Sequence, residues 1–163
     1  MRIYITVIGG SRVEDPKVLE AAEEVGRLIA EKGAILVCGG RGGVMEATAR
    51  GAKKAGGLTV GILPGQTRAE ANPYIDVAIP TGLSWARNAV NVLAGDTVIV
   101  IGGAAGTLSE IGLALAYQKP VIALKGTGGA ADMLAEKEIN GYLIHGADTP
   151  QEAVEKAIKL GST

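Results

Sequence analysis

Short runs of β-branched residues alternate along this chain with longer segments of helical pattern, and most of the runs end on glycine. The runs are "RIYITVIGG", "AILVCGG", "LTVGILP", "IDVAIP", "DTVIVIGG" and "PVIAL", with "GYLIHG" as one last short strand. Between them the pattern predicts helices over Pro16–Glu31, Gly43–Ala55, Leu83–Ala94 and Thr107–Gln118, and a final one over Gln151–Leu160 behind Pro150. Alternating strand and helix means βαβ units, hence an α/β fold with a parallel sheet sandwiched between helices. Such a sheet is buried on both faces and favours branched aliphatic side chains. The composition agrees: 47% of the residues are hydrophobic but only 3% aromatic, with no Phe and one Trp. At 163 residues the chain is expected to form a single domain, 1–163. Asp15 is placed to cap the first helix, Pro16 suits its first turn, and Gly33 marks its end.

Glycine is the informative residue. Its clusters fall where strands end: Gly9-Gly10, Gly39-Gly40 with Gly42-Gly43, Gly102-Gly103 with Gly106, and Gly128-Gly129. In an open parallel sheet the strand ends that feed helices lie along one edge, and ligands bind in the crevice there. Glycine permits positive φ and lets backbone N–H groups approach a phosphate at a helix N-terminus, so the clusters point to a phosphate-bearing ligand. Neither GxGxxG nor GxxxxGK[ST] occurs, which removes the usual sequence support for NAD binding and ATP hydrolysis.

Among side chains, Glu110 is the only charge in "VIGGAAGTLSEIGLALAYQ". Thr107 and Glu110 have the spacing of a capping box, in which each satisfies a free N–H of the helix start. At the mouth of a buried apolar helix the same carboxyl would have a raised pKa and suit acid–base work. Arg87 borders the apolar arc of Leu83–Ala94, where an arginine either reaches solvent or finds an anion. That arc, from Leu83, Trp85 and Ala86 to Ala89, Val90, Val92 and Leu93, covers about half the wheel against a core stripe of ~100°, which suggests packing on a second subunit as well as on the sheet. Arg41, between two glycine pairs, is the best placed of Arg41, Glu46 and Arg50 to touch a ligand. Cys38 reads as a small core residue and His145 as incidental.

Several classes are disfavoured. Lys and Arg number 16 against 17 Asp and Glu, without a basic block, so a nucleic-acid partner lacks its footprint. One Cys and one His build neither an intrachain disulfide nor an ordinary zinc site, and no metal ligand is assigned. No apolar run approaches the ~20 residues of a membrane helix, so a cytoplasmic protein without a membrane partner is expected.

The order of three blocks, "VIGGS", "CGGRGGVMEATARGAKKAGGLTVGILP" and "WARNAVNVLAGDTVIVIGGAAGTLSEI", resembles the Lonely guy (LOG)-like proteins from Ile3 to about Leu124, and within them a short branch that includes molybdenum-cofactor carrier proteins. The resemblance implies a Rossmann-like domain that forms a homodimer or a dimer of dimers and binds a phosphorylated small molecule, a nucleotide or a phosphorylated pterin such as molybdenum cofactor, with no other cofactor required. The residues so implicated are Gly10 and Ser11; Gly39, Gly40, Arg41, Gly42 and Gly43; and Gly103, Ala105, Gly106 and Thr107. In the family's phosphoribohydrolases an Arg matching Arg87 and a Glu matching Glu110 serve release of a free base and ribose 5-phosphate from a nucleoside 5′-monophosphate. This chain departs from their PGGxGTxxE loop, with Gly102 at the Pro and Ala104 at the second Gly, and has Glu46 where they tend to have glycine. The expectation is therefore a binding protein, with hydrolysis as the alternative. Single-stranded DNA binding, as in the distantly related DNA-processing proteins, fits poorly with the charge balance.

Overall fold

The computed structural model describes residues 1–163. Eight strands form one sheet: β1 (Tyr4–Gly9), β2 (Ile35–Cys38), β3 (Thr59–Leu63), β4 (Val77–Pro80), β5 (Thr97–Ile101), β6 (Val121–Leu124), β7 (Glu138–Ile139) and β8 (Tyr142–Ala147), in the order β4-β3-β2-β1-β5-β6-β8-β7. Six helices cover it: α1 (Pro16–Glu31), α2 (Val44–Lys54), α3 (Arg87–Ala94), α4 (Ala105–Ala116), α5 (Gly129–Leu134) and α6 (Pro150–Gly161). Every neighbouring pair is parallel except β7 with β8, a hairpin turned by Asn140 and Gly141 at φ +49° and +87°. Asn-Gly favours such turns because both residues tolerate positive φ.

Alternate side chains of the central strands feed two cores. Ile5 and Val7 of β1, with Ile99 and Ile101 of β5, pack against α1, α2 and α6. Ile8, Val98 and Val100 point the other way and pack against α3, α4 and α5. This two-sided burial is why the strands read as continuous aliphatic runs. α1 begins as expected, with Asp15 Oδ1 accepting the Lys17 N–H at 2.9 Å and Pro16 in the first turn.

Three expectations are corrected. Leu83–Ala94 is not one helix: a 3-10 turn, Ser84–Ala86, precedes α3, because the Ser84 N–H donates to Pro64 O at 2.9 Å and ties this segment to the end of β3. α4 starts at Ala105 and not at Thr107, so Thr107 lies inside the helix and no capping box forms. Gly128-Gly129 is no ligand loop: it opens α5, whose Ala130 and Ala131 N–H groups donate to Gly103 O and Gly102 O at 2.9 and 3.0 Å.

Candidate functional site

The chain winds outward from β1 to β4 and then returns across β1 to β5. The helices that follow these two strands therefore leave to opposite faces, and a crevice opens at the strand ends between them. A cleft of about 730 Å³ lies there. Its walls come from the loop after β1 (Gly9 to Arg12), the loop after β2 (Gly39, Arg41, Gly42), the 3-10 turn and α3 (Ser84, Trp85, Arg87, Asn88, Asn91), and the start of α4 (Ala104 to Thr107, Glu110).

Of the residues singled out in the sequence, Gly10, Ser11, Gly39, Arg41, Gly42, Arg87, Ala105, Gly106, Thr107 and Glu110 line this cleft. Gly40, Gly43 and Gly103 do not. Gly40 packs on Leu63, and the Gly103 carbonyl is engaged by α5. Gly43 sits where a Cβ would come 2.2 Å from Gly10 O, so its role is to let α2 close on the first loop, where the Val44 N–H donates to that same carbonyl at 3.0 Å. Glu46 and Arg50 line a neighbouring hollow that shares Ser11 and Arg12 with the cleft, and Arg50 pairs with Glu23 at 3.1 Å. His145 lies on β8 beyond β6, away from the cleft, and burial lowers its pKa, with Lys156 adding to the effect.

Arg87 lines the cleft and is held there by the backbone around it. Its Nη1 donates to Gly39 O at 2.7 Å and Ile62 O at 2.5 Å, and its Nε donates to Asn88 Oδ1 at 3.1 Å. The guanidinium thus holds the ends of β2 and β3 beside α3, and burial lowers its pKa while Glu110 works the other way. Arg87 and Glu110 share the cleft without an ion pair.

Glu110 is 9% exposed, and its Oε2 accepts the Asn91 Nδ2 hydrogen at 2.8 Å. Burial pushes its pKa up to about 7, against the opposing pull of the Asn91 hydrogen bond and the Arg87 charge. Asn91 is itself only 2% exposed, and its Oδ1 has no partner. A buried acceptor left unpaired costs about 1–3 kcal/mol; Thr97 Oγ1, away from the cleft, is unpaired as well. On the same side, Asn88 Nδ2 donates to Ser109 Oγ at 3.0 Å, and Ser109 Oγ donates to Gly106 O at 2.7 Å, fixing the first turn of α4. The N–H groups of Ala105, Gly106 and Thr107 have no backbone acceptor; the first paired one is Leu108, to Ala104 O at 2.9 Å. Together with the positive end of the helix dipole they suit an anion.

Sequence reasoning missed Asn88, Asn91 and Trp85 as lining residues. The available signal was two asparagines three positions apart inside a helix, where Asn is a weak helix former.

Cys38 is fully buried, its Sγ 3.9 Å from Met45 O, and burial pushes its pKa up to about 11. Native protein at pH 8 is expected to leave this thiol unmodified by a thiol reagent and to react fully in denaturant; fast labelling of folded protein would contradict this.

Residues 2–154 match the SLOG cluster4 family. A molybdenum cofactor binding protein from the phototrophic bacterium Rippkaea orientalis superposes with a TM-score of 0.89 and 42% identity, covering 100% of this chain and 99% of that one. The molybdenum cofactor carrier protein of Chlamydomonas reinhardtii superposes with a TM-score of 0.88 at 34% identity, covering 100% of both chains. A cytokinin riboside 5′-monophosphate phosphoribohydrolase of Mycobacterium tuberculosis is 33% identical over 151 residues, 87% of this chain and 79% of that protein.

Proposed function

This chain belongs to the SLOG cluster4 family, within the LOG-like Rossmann group, and from that premise we propose that it binds a phosphorylated pterin of the molybdenum-cofactor type in the cleft between β1 and β5, as a carrier. The observation that carries this reading is the row of unpaired N–H groups at Ala105, Gly106 and Thr107 on the cleft wall, a ready seat for a phosphate. Arg41, the loop Gly10-Ser11, Gly39 and Gly42 face the same space. The unpaired Asn91 Oδ1 fits a polar ligand better than an empty, purely structural cleft.

One feature favours binding over hydrolysis. Gly102 has φ +57°, which proline, locked near −65°, cannot adopt. The loop into α4 thus differs in backbone from one that begins with proline, as the hydrolase loop does. The hydrolase reading keeps one support: Glu110, with its pKa near 7, is tuned for acid–base work on a nucleoside 5′-monophosphate.

Calorimetry with a phosphorylated pterin is expected to give stoichiometric binding without turnover. No heat with the pterin, together with release of ribose 5-phosphate from any member of a nucleoside monophosphate panel, would reverse the order of the two readings.

We also place the protein in the cytoplasm as a homodimer. No helix is long and apolar enough to cross a membrane. α3 and α4 pack side by side, and Val90 and Leu93 of α3, Leu108 of α4 and Tyr117 just past its end are exposed apolar side chains. Burial of these side chains against a second copy would remove their apolar surface from water. Leu93→Glu is expected to convert a dimer to a monomer in sedimentation; a wild type already monomeric at micromolar concentration would rule this out.

A further inference from the structure

The chain's one tryptophan stands 75% exposed in a protein that has no phenylalanine and is 3% aromatic. Trp85 belongs to neither hydrophobic core. Nor does it share the outward arc of α3, because the 3-10 turn takes residues 84–86 out of the helical register, with Ser84 at φ +54°. The turn instead carries the indole onto the wall of the cleft. A Cβ added at Gly106 would lie 3.0 Å from Trp85 Cζ3, 3.7 Å from Cη2 and 4.0 Å from Cε3. One atom leading with its two ring neighbours farther back is an edge approach, so the ring rests on the first turn of α4 by its rim and its faces are not used in that contact. Met45, Pro64 and Ala105 add apolar surface to the same cleft.

We infer that Trp85 is a specificity-determining residue of the ligand site: its indole face stacks on the planar fused ring of a phosphorylated heterocycle, a purine or a pterin, whose phosphate sits on the start of α4. Offset stacking of this kind is favourable for any flat π system and needs no hydrogen-bond reading of its edge. It explains why a large apolar side chain is held at the cleft, and why Gly106 carries no side chain beneath it. The inference rests on the phosphate-ligand reading above.

With a single tryptophan, fluorescence reports this contact alone. The probes are guanosine 5′-monophosphate, a phosphorylated pterin, and ribose 5-phosphate as the phosphate without a ring. The ring-bearing ligands are expected to quench Trp85 emission and ribose 5-phosphate to leave it unchanged. By calorimetry, Trp85→Leu is expected to lose roughly ten- to a hundredfold in affinity for the ring-bearing ligands and nothing for ribose 5-phosphate, while Trp85→Phe recovers most of the loss. The leucine keeps apolar bulk and removes only the π face, and since Trp85 lies outside both cores its thermal unfolding is expected to match the wild type. Equal affinity of wild type and Trp85→Leu for a ring-bearing ligand overturns the stacking and leaves the phosphate reading standing. Failure of all three probes to bind overturns both. Emission that is shielded from quenchers before any ligand is added, and that changes on dilution, would assign Trp85 to a contact between copies and also overturn it.

Discussion

Glu110→Gln makes the protein more stable at pH 8 and leaves it almost unchanged at pH 4. The carboxyl is 9% exposed, and its pKa rises from an ordinary 4.5 to about 7 because burial penalises the charged form. The folded protein therefore holds this proton more tightly than the unfolded chain does. Below pH 4.5 both states are protonated and the group's full contribution to stability is present. As the pH rises through 4.5 and on through about 7, the unfolded chain releases the proton first and that contribution is lost. By pH 8 a rise from 4.5 to about 7 amounts to about 3 kcal/mol. Glutamine stays neutral throughout, and its Oε1 still accepts the hydrogen that Asn91 Nδ2 donates to Glu110. For a chain of this size the variant should melt roughly 6–12 °C higher than wild type at pH 8. Thermal unfolding of both proteins between pH 4 and pH 8 checks this; parallel pH profiles would show that Glu110 is not the group responsible. A residue that weakens the fold at neutral pH is one a binding or catalytic site has reason to keep.

Gly26→Ala is the second large effect, and its sign runs against helix propensity. In an exposed helix, alanine in place of glycine gains about 1 kcal/mol. Gly26 lies at the crossing of α1 and α2, where a Cβ would stand 1.9 Å from Thr48 O, and the contact is reciprocal: at Gly51 a Cβ would stand 1.9 Å from Glu23 O. The obstacle in each case is backbone, which no rotamer change can move aside. The two helices would have to part, and both carry side chains of the larger core, among them Val25, Ile29, Val44 and Ala52. Overpacking of this kind costs about 1–3 kcal/mol, and a backbone obstacle puts it at the upper end. Urea denaturation of Gly26→Ala and Gly51→Ala should show both variants destabilised; a stability equal to or above wild type would mean that α1 and α2 do not meet backbone to backbone. α2 also carries Val44 against the first glycine loop, so the same substitutions should weaken ligand binding.

The layout of the sheet was legible because parallel strands buried on both faces must be aliphatic, and because Asp15-Pro16 and Gly33 mark helix ends by local chemistry. The hairpin of β7 and β8 has a local signal in Asn140-Gly141, but one flanking strand is only two residues long, too short to show a strand pattern. Glycine misled in part. Clusters at strand ends look alike in sequence, yet Gly10, Gly39, Gly42 and Gly106 border the cleft, Gly43 admits α2, and Gly128-Gly129 dock α5. Gly26 and Gly51, which lie in helices and not at strand ends, serve helix crossing.

Sequence by itself determined the α/β class, the glycine-rich edge and the presence of Arg87 and Glu110 near it, because periodicity and turn chemistry act over a few residues and survive in any context. Only the tertiary structure decided what those side chains do. The Thr107–Glu110 spacing suited a capping box until α4 began two residues early and Asn91, brought alongside by the packing of α3, took the carboxylate. Arg87 was placed near the edge by sequence, but only the fold shows its Nη1 donating to Gly39 O, just past β2, and to Ile62 O of β3. Trp85 belongs by spacing to the apolar arc of Leu83–Ala94, and only the tie from Ser84 to Pro64 O brings it beside Gly106 at the cleft. In each case the deciding partner lies 19 or more residues away, beyond the reach of any local pattern.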